Sequence, residues 1–87
     1  MSEVRFQLLS RTNCHLCTEM ESLLEEILPV FGESYSVENV DSRREWQEQY
    51  GEVVPVLLRD GRAVAKIRVD RGQLERIVRK NRAGWRE

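Results

Sequence analysis

Apolar positions recur with two different periods along the chain, and the switches between them mark out the elements. From Val4 to Leu9 the alternation is two-fold: Val4, Phe6 and Leu8 share one face, and Leu9 extends the apolar character. This predicts a strand. After the polar stretch Ser10-Arg11-Thr12-Asn13 the period changes. Leu16, Met20, Leu23, Leu24, Ile27 and Leu28 recur at helical spacing, and Glu19, Glu21, Glu25 and Glu26 take the opposite face. An amphipathic helix should therefore begin near Cys14, capped by Thr12 or Asn13, and end at Pro29 and Gly32.

Tyr35 to Val40 alternates again and reads as a second strand. Ser42-Arg43-Arg44-Glu45 has the form of a capping box, predicting a short helix to Tyr50 with Gly51 as its stop. Trp46 and Tyr50, four apart, would be its buried stripe. Val53 to Arg59 is rich in branched residues, as a central strand should be. Asp60-Gly61 signals a hairpin into a fourth strand, about Ala63 to Val69. Asp70 with Gln73 resembles a second capping box, opening a last helix with Leu74, Ile77 and Val78 inward. The order β-α-β-α-β-β-α predicts an α/β fold: a four-stranded mixed sheet flanked by helices. Strands separated by helices are expected to pair in parallel, with the final hairpin as an antiparallel edge. No repeat, linker or low-complexity stretch interrupts the 87 residues, so one domain is expected.

Composition narrows the class. A chain with 40% hydrophobic and 33% charged residues is expected to be a soluble globular protein. The longest nearly apolar run, Val53 to Leu58, is too short to span a bilayer, and the N-terminus has no signal-type stretch, so a cytoplasmic place without membrane contact is expected. The net charge of −1 hides an uneven spread: residues 19–52 hold ten acids against two arginines, and residues 53–87 hold ten basic residues against four acids. Such polarity can steer a charged partner. With Trp85 as the only aromatic in the basic half and no recognisable motif, a nucleic-acid partner is not expected. Trp85 itself reads as packed on the sheet.

Both cysteines lie in one window, Cys14-His15-Leu16-Cys17, and the only histidine stands between them. A disulfide-stapled secreted chain would spread more cysteines along its length, and a zinc ribbon would need a second pair. The window falls where the first strand hands over to the first helix. There, unpaired N–H groups and aligned peptide dipoles favour an anion, and the thiolate is the reactive form of cysteine. Cys14 is placed to receive that stabilisation. Cys17, on the neighbouring turn and beside the apolar stripe, is more enclosed. Cys14 is thus the expected nucleophile and Cys17 the resolving thiol. His15 and Arg11 are the candidate sources of positive potential beside it.

Pro55 stands where the third strand starts, a position that tolerates a residue without an N–H. With Cys14-His15-Leu16-Cys17 after strand one and Val54-Pro55 opening strand three, the chain resembles the thioredoxin superfamily, most closely its short glutaredoxin-like proteins, over nearly its whole length. The resemblance implies a cis Val54-Pro55 bond beside Cys14, with the Val54 backbone pairing an extended substrate segment. It implies a thiol–disulfide oxidoreductase with no bound cofactor or metal, acting as a monomer on protein or low-molecular-weight disulfides, with glutathione as a candidate reductant. His15-Leu16 stand where a glutaredoxin usually has Pro-Tyr, and Lys66 to Asp70 lack the Gly-Gly pair that receives a glutathione carboxylate. The buried acid of a thioredoxin's first strand is replaced by Leu8. Those departures leave an alternative, a non-catalytic adaptor or redox switch of the same fold.

Overall fold

The computed structural model describes residues 5–82; Val4 and Trp85 lie outside the described residues. Strand β1 (Phe6–Ser10) leads to helix α1 (His15–Ile27), then a 3₁₀ turn over Leu28–Phe31. Strand β2 (Tyr35–Asn39), a second 3₁₀ turn over Val40–Ser42 and helix α2 (Arg44–Tyr50) follow. Strands β3 (Val56–Arg59) and β4 (Arg62–Lys66) precede helix α3 (Arg71–Arg82). The sheet order is β2-β1-β3-β4. The element order and the four-stranded mixed sheet match the reading of the sequence.

One pairing differs. β1 runs parallel to β2 but antiparallel to β3, as β3 does to β4. The expectation of parallel pairing across every helix fails at α2. Its seven residues span about 10 Å at 1.5 Å per residue. A five-residue strand covers about 17 Å at 3.4 Å per residue. α2 is too short to return the chain along the sheet, so β3 starts at the end where β2 stops.

The strand alternation sorts the core onto two faces. Phe6, Leu8 and Leu57 pack with Met20, Leu24, Ile27, Leu74 and Val78, which places α1 and α3 on one side. Leu9, Val56 and Leu58 pack with Val40 on the other, where Trp46 and Tyr50 of α2 lean against them. Because β1 and β3 are central and covered on both faces, Leu9 continues the apolar run instead of alternating to polar. α2 buries none of its residues: Trp46 and Tyr50 are half-buried, not the expected buried stripe. The Arg43 guanidinium lies 4.7 Å from the Trp46 ring, and the Lys66 ammonium 5.8 Å from the Tyr50 ring.

The punctuation residues act by identifiable means. Pro29 sits in the 3₁₀ turn, and Gly32, at φ 74°, donates its N–H to the Leu28 and Pro29 carbonyls. Asp60 and Gly61 both take positive φ, 53° and 84°, as a two-residue hairpin of right-handed twist demands. Asp70 and Gln73 form the capping box in full: the Asp70 N–H donates to Gln73 Oε1 at 2.9 Å, and the Gln73 N–H to Asp70 Oδ1 at 2.8 Å. The other box does not form. Ser42 Oγ donates instead to the Asn39 carbonyl at 2.7 Å, and Arg43 becomes the N-cap residue of α2. Ser42 is drawn into the 3₁₀ turn because the Asn39 side chain accepts from the Asp41 N–H at 2.7 Å.

Candidate active site

The strand register gathers four loops at one end of the sheet. Ser10 pairs with Asn39, Leu9 with Val56, and Val56 with Lys66. The ends of β1, β2 and β4 and the start of β3 therefore lie together. Arg11 to Cys14, Val40 to Ser42, Val53 to Pro55 and Ile67 to Asp70 all leave the sheet there.

Cys14 and Cys17 are joined by a disulfide, with their Cα atoms 5.2 Å apart. The helix cap is Cys14 itself, not Thr12 or Asn13. Its backbone is extended, and Cys14 Sγ accepts the Cys17 N–H at 3.1 Å. Asn13 instead takes the left-handed conformation, φ 59°, which turns the chain into the helix. Thr18 closes the first turn, with N–H and Oγ1 donating to the Cys14 carbonyl at 3.2 and 3.3 Å. Cys14 is half-buried, whereas Cys17 is only 4% exposed. The two sulfurs thus differ in access, and the accessible one accepts a first-turn helix N–H. That is the arrangement a thiolate at Cys14 needs.

Both neighbouring basic side chains are already engaged. His15 Nε2 lies 2.9 Å from Glu19 Oε2, one turn on, and the imidazole is 84% exposed. The Arg11 guanidinium donates to Asp41 Oδ1 at 3.1 Å, and the same oxygen accepts from Gln47 Nε2 at 3.1 Å. Arg11, His15 and Glu21 line the shallow cavity that holds Cys14 and Cys17. Asp41 has no sequence motif to announce it. The signal that could have found it is the parallel β1–β2 register, which sets the residues after Ser10 beside those after Asn39.

Pro55 is fully buried and follows a cis peptide bond from Val54. The sequence reading starts the strand at Val53, with Val54-Pro55 opening it; in the structure it starts three residues later, at Val56. The Pro55 carbonyl accepts the Ile67 N–H at 2.7 Å. Among the described residues, the half-buried Val54 takes part in no backbone hydrogen bond. Ile67 ends β4 three residues earlier than expected. It takes φ 67°, an uncommon conformation for a branched residue, while its neighbours Lys66 and Arg68 form a bridge. On the other side of α1 a groove of about 570 Å³ runs between Leu16, Met20 and Leu23 and the loop Ile67 to Asp70.

Two further points bear on the electrostatics. Leu8 is fully buried, and no described polar or charged residue is buried, so no acid lies under the cysteine pair. Burial, with the carboxylates of Glu21 and Glu25 next in weight, pushes the Tyr35 phenol up from 10.0 to about 12. Among the described residues no three His, Cys, Asp or Glu side chains gather as a metal-ligand set. No described helix is long and apolar enough to cross a membrane.

Known proteins of the same shape carry the comparison further. A protein from X. campestris, XcR50, superposes with a TM-score of 0.70 at 24% identity, over 85% of this chain and 95% of that one. Reduced glutaredoxin C1 from Populus tremula x tremuloides gives 0.53 at 19% identity, over 93% of this chain and 67% of that one. A buckwheat glutaredoxin in complex with glutathione gives 0.51 at 17% identity, over 92% and 70%. At such identities the likeness establishes the fold. No curated protein sequence matches significantly. The family described as Glutaredoxin-like domain (DUF836) matches residues 5–79, and this chain belongs to it.

Proposed function

We propose that this protein is a thiol–disulfide oxidoreductase in which Cys14 attacks and Cys17 resolves. The observation that carries the reading is the asymmetry of the pair: Cys14 caps α1 and is accessible, and Cys17 is enclosed. In the reduced protein the Cys14 thiolate attacks one sulfur of a substrate disulfide. The substrate S–S bond breaks, one thiolate leaves, and a mixed disulfide through Cys14 remains. Cys17 then attacks Cys14 Sγ and expels the second thiolate. The protons lost by the two cysteines match those taken up by the two leaving groups, and two electrons pass from protein to substrate.

Val54 supports the same reading. Among the described residues its backbone N–H and C=O have no hydrogen-bond partner at the sheet end that carries Cys14, which suits strand-like pairing with an incoming segment. A thiol reductant returns the pair to the dithiol state without a resident cofactor. Glutathione is one candidate, since a buckwheat glutaredoxin of this fold is in complex with it. A pair that cycles in this way belongs in a reducing compartment such as the cytoplasm. The protein is proposed to act there as a monomer.

Redox titration with mass spectrometry on the wild type, Cys14→Ser and Cys17→Ser tests the mechanism. Cys17→Ser should accumulate a mixed disulfide on Cys14, and Cys14→Ser should accumulate none. Failure of Cys17→Ser to trap that adduct would overturn the assignment. Robust turnover with hydroxyethyl disulfide or insulin would separate the enzyme from an adaptor of the same fold.

A further inference from the structure

We infer that the charges around Cys14 select cationic disulfides over anionic ones, with Asp41, Glu19 and Glu21 as the specificity-determining residues. The inference rests on Cys14 being the attacking thiol.

Arg11 and His15 stand beside the cysteine pair, and neither is free to meet an anion. Arg11 is bound by Asp41, and His15 by Glu19. Asp41 is itself fixed from two further sides: its Oδ1 accepts from Gln47 Nε2, and its backbone N–H donates to Asn39 Oδ1. Each ion pair therefore adds no net positive charge, whatever the protonation of His15. Glu21 lines the same cavity, and the side chain it lies beside is the neutral phenol of Tyr35. In the groove across α1 the charges are closer to balance: Glu19 is the partner of His15, Glu26 is paired with Arg71 at 2.6 Å, and Asp70 and Arg68 are of opposite sign. The side chains around Cys14 thus present net negative charge to an approaching disulfide.

A carboxylate near the attacked sulfur is repelled there, and an ammonium is attracted. For one or two net charges about 8 Å away in a water-like medium, substrates of opposite sign should differ in rate about five- to thirtyfold. Glutathione, with two carboxylates and one ammonium, falls on the disfavoured side, so it would reduce this protein more slowly than a neutral thiol of equal intrinsic reactivity.

The test follows single-turnover oxidation of the pre-reduced protein by cystamine (a dication), hydroxyethyl disulfide (neutral) and dithiodipropionate (a dianion). Each rate is divided by the same disulfide's rate with free mercaptoethanol, which removes intrinsic reactivity. At low ionic strength the expected order is cystamine, then hydroxyethyl disulfide, then dithiodipropionate. The ratio of the first to the last should shrink towards one near 0.5 M salt, where the Debye length is about 4 Å. Asp41→Asn combined with Glu21→Gln should lower the ratio at low salt. The ratio is independent of the Cys14 thiolate fraction, because every disulfide meets the same sulfur. A flat or reversed order in the wild type, or an unchanged ratio in the variant, would overturn the charge selection while leaving Cys14 as nucleophile. Absence of reaction with all three disulfides would overturn both.

Discussion

The Cys17 N–H donates to Cys14 Sγ at 3.1 Å, so the sulfur expected to react is also the cap of helix α1. Caps are usually Ser, Thr, Asp or Asn, whose oxygen accepts from the second or third helical N–H. Cys14 fills that role with sulfur. Under excess reductant, Cys14→Ala should be less stable than Cys14→Ser by about 1 kcal/mol, since serine keeps an acceptor at the same place and alanine does not. Both variants lack the disulfide, so its loss cancels in the comparison. Urea unfolding of the two reads the difference directly, and equal midpoints would show that the cap bond contributes nothing in the reduced protein.

Ile67 offers a test of backbone strain at the same end of the sheet. Its φ of 67° is one that asparagine and glycine adopt readily and a branched residue does not. The side chain is 42% exposed, so little burial would be lost on replacement. Ile67→Asn should stabilise the protein by about 1 kcal/mol, the bottom of the strain range for such conformations. Thermal unfolding should show a higher midpoint. A lower one would mean that the contacts of Ile67 in the groove outweigh its backbone cost.

Most of the fold was legible because its signals are local. The helical spacing of Met20, Leu24 and Ile27, the alternation of Phe6 and Leu8, the Asp60-Gly61 turn and the Asp70–Gln73 box each act within a few residues. The direction of β3 was not legible, because it depends on how far α2 carries the chain across the sheet. The Ser42 cap was misread for a related reason. Asn39 competes for the same stretch of backbone, and the 3₁₀ turn it helps form takes Ser42 out of capping position. At the candidate site the cysteine pair stood out as a motif. The charges around it did not: Asp41 is thirty residues from Arg11, and only the parallel register joins them.

Tyr35 should reveal its surroundings at alkaline pH. Burial, with Glu21 and Glu25 beside it, raises its folded-state pKa from 10.0 to about 12. Between those values the folded chain holds a proton that the unfolded chain has released. Stability from this group is therefore complete below pH 10 and declines as pH rises through about 12. Absorbance at 295 nm should show a late tyrosine ionisation that Tyr35→Phe removes. The same variant should lose less stability than the wild type between pH 10 and 11.5. If its titration keeps the late phase, the raised phenol has been assigned to the wrong residue.

The cap of α3 separates hydrogen bonding from charge. Asp70 accepts the Gln73 N–H at 2.8 Å, and α3 drives Leu74 and Val78, both fully buried, into the main core. Fraying at the first turn should therefore be felt throughout the fold. Asp70→Ala should cost about 1 kcal/mol, within the usual range of 0.5–2 for a lost cap. Asp70→Asn keeps an acceptor of nearly equal capping strength and gives up only the interaction of a negative charge with the helix dipole, an effect of about 0.3–1 kcal/mol that salt screens. The asparagine variant should thus fall between the wild type and alanine at low salt and approach the wild type at high salt. Chemical unfolding in urea at two salt concentrations measures both terms. An asparagine variant as unstable as alanine at both would show that the charge, and not the hydrogen bond, holds the start of α3.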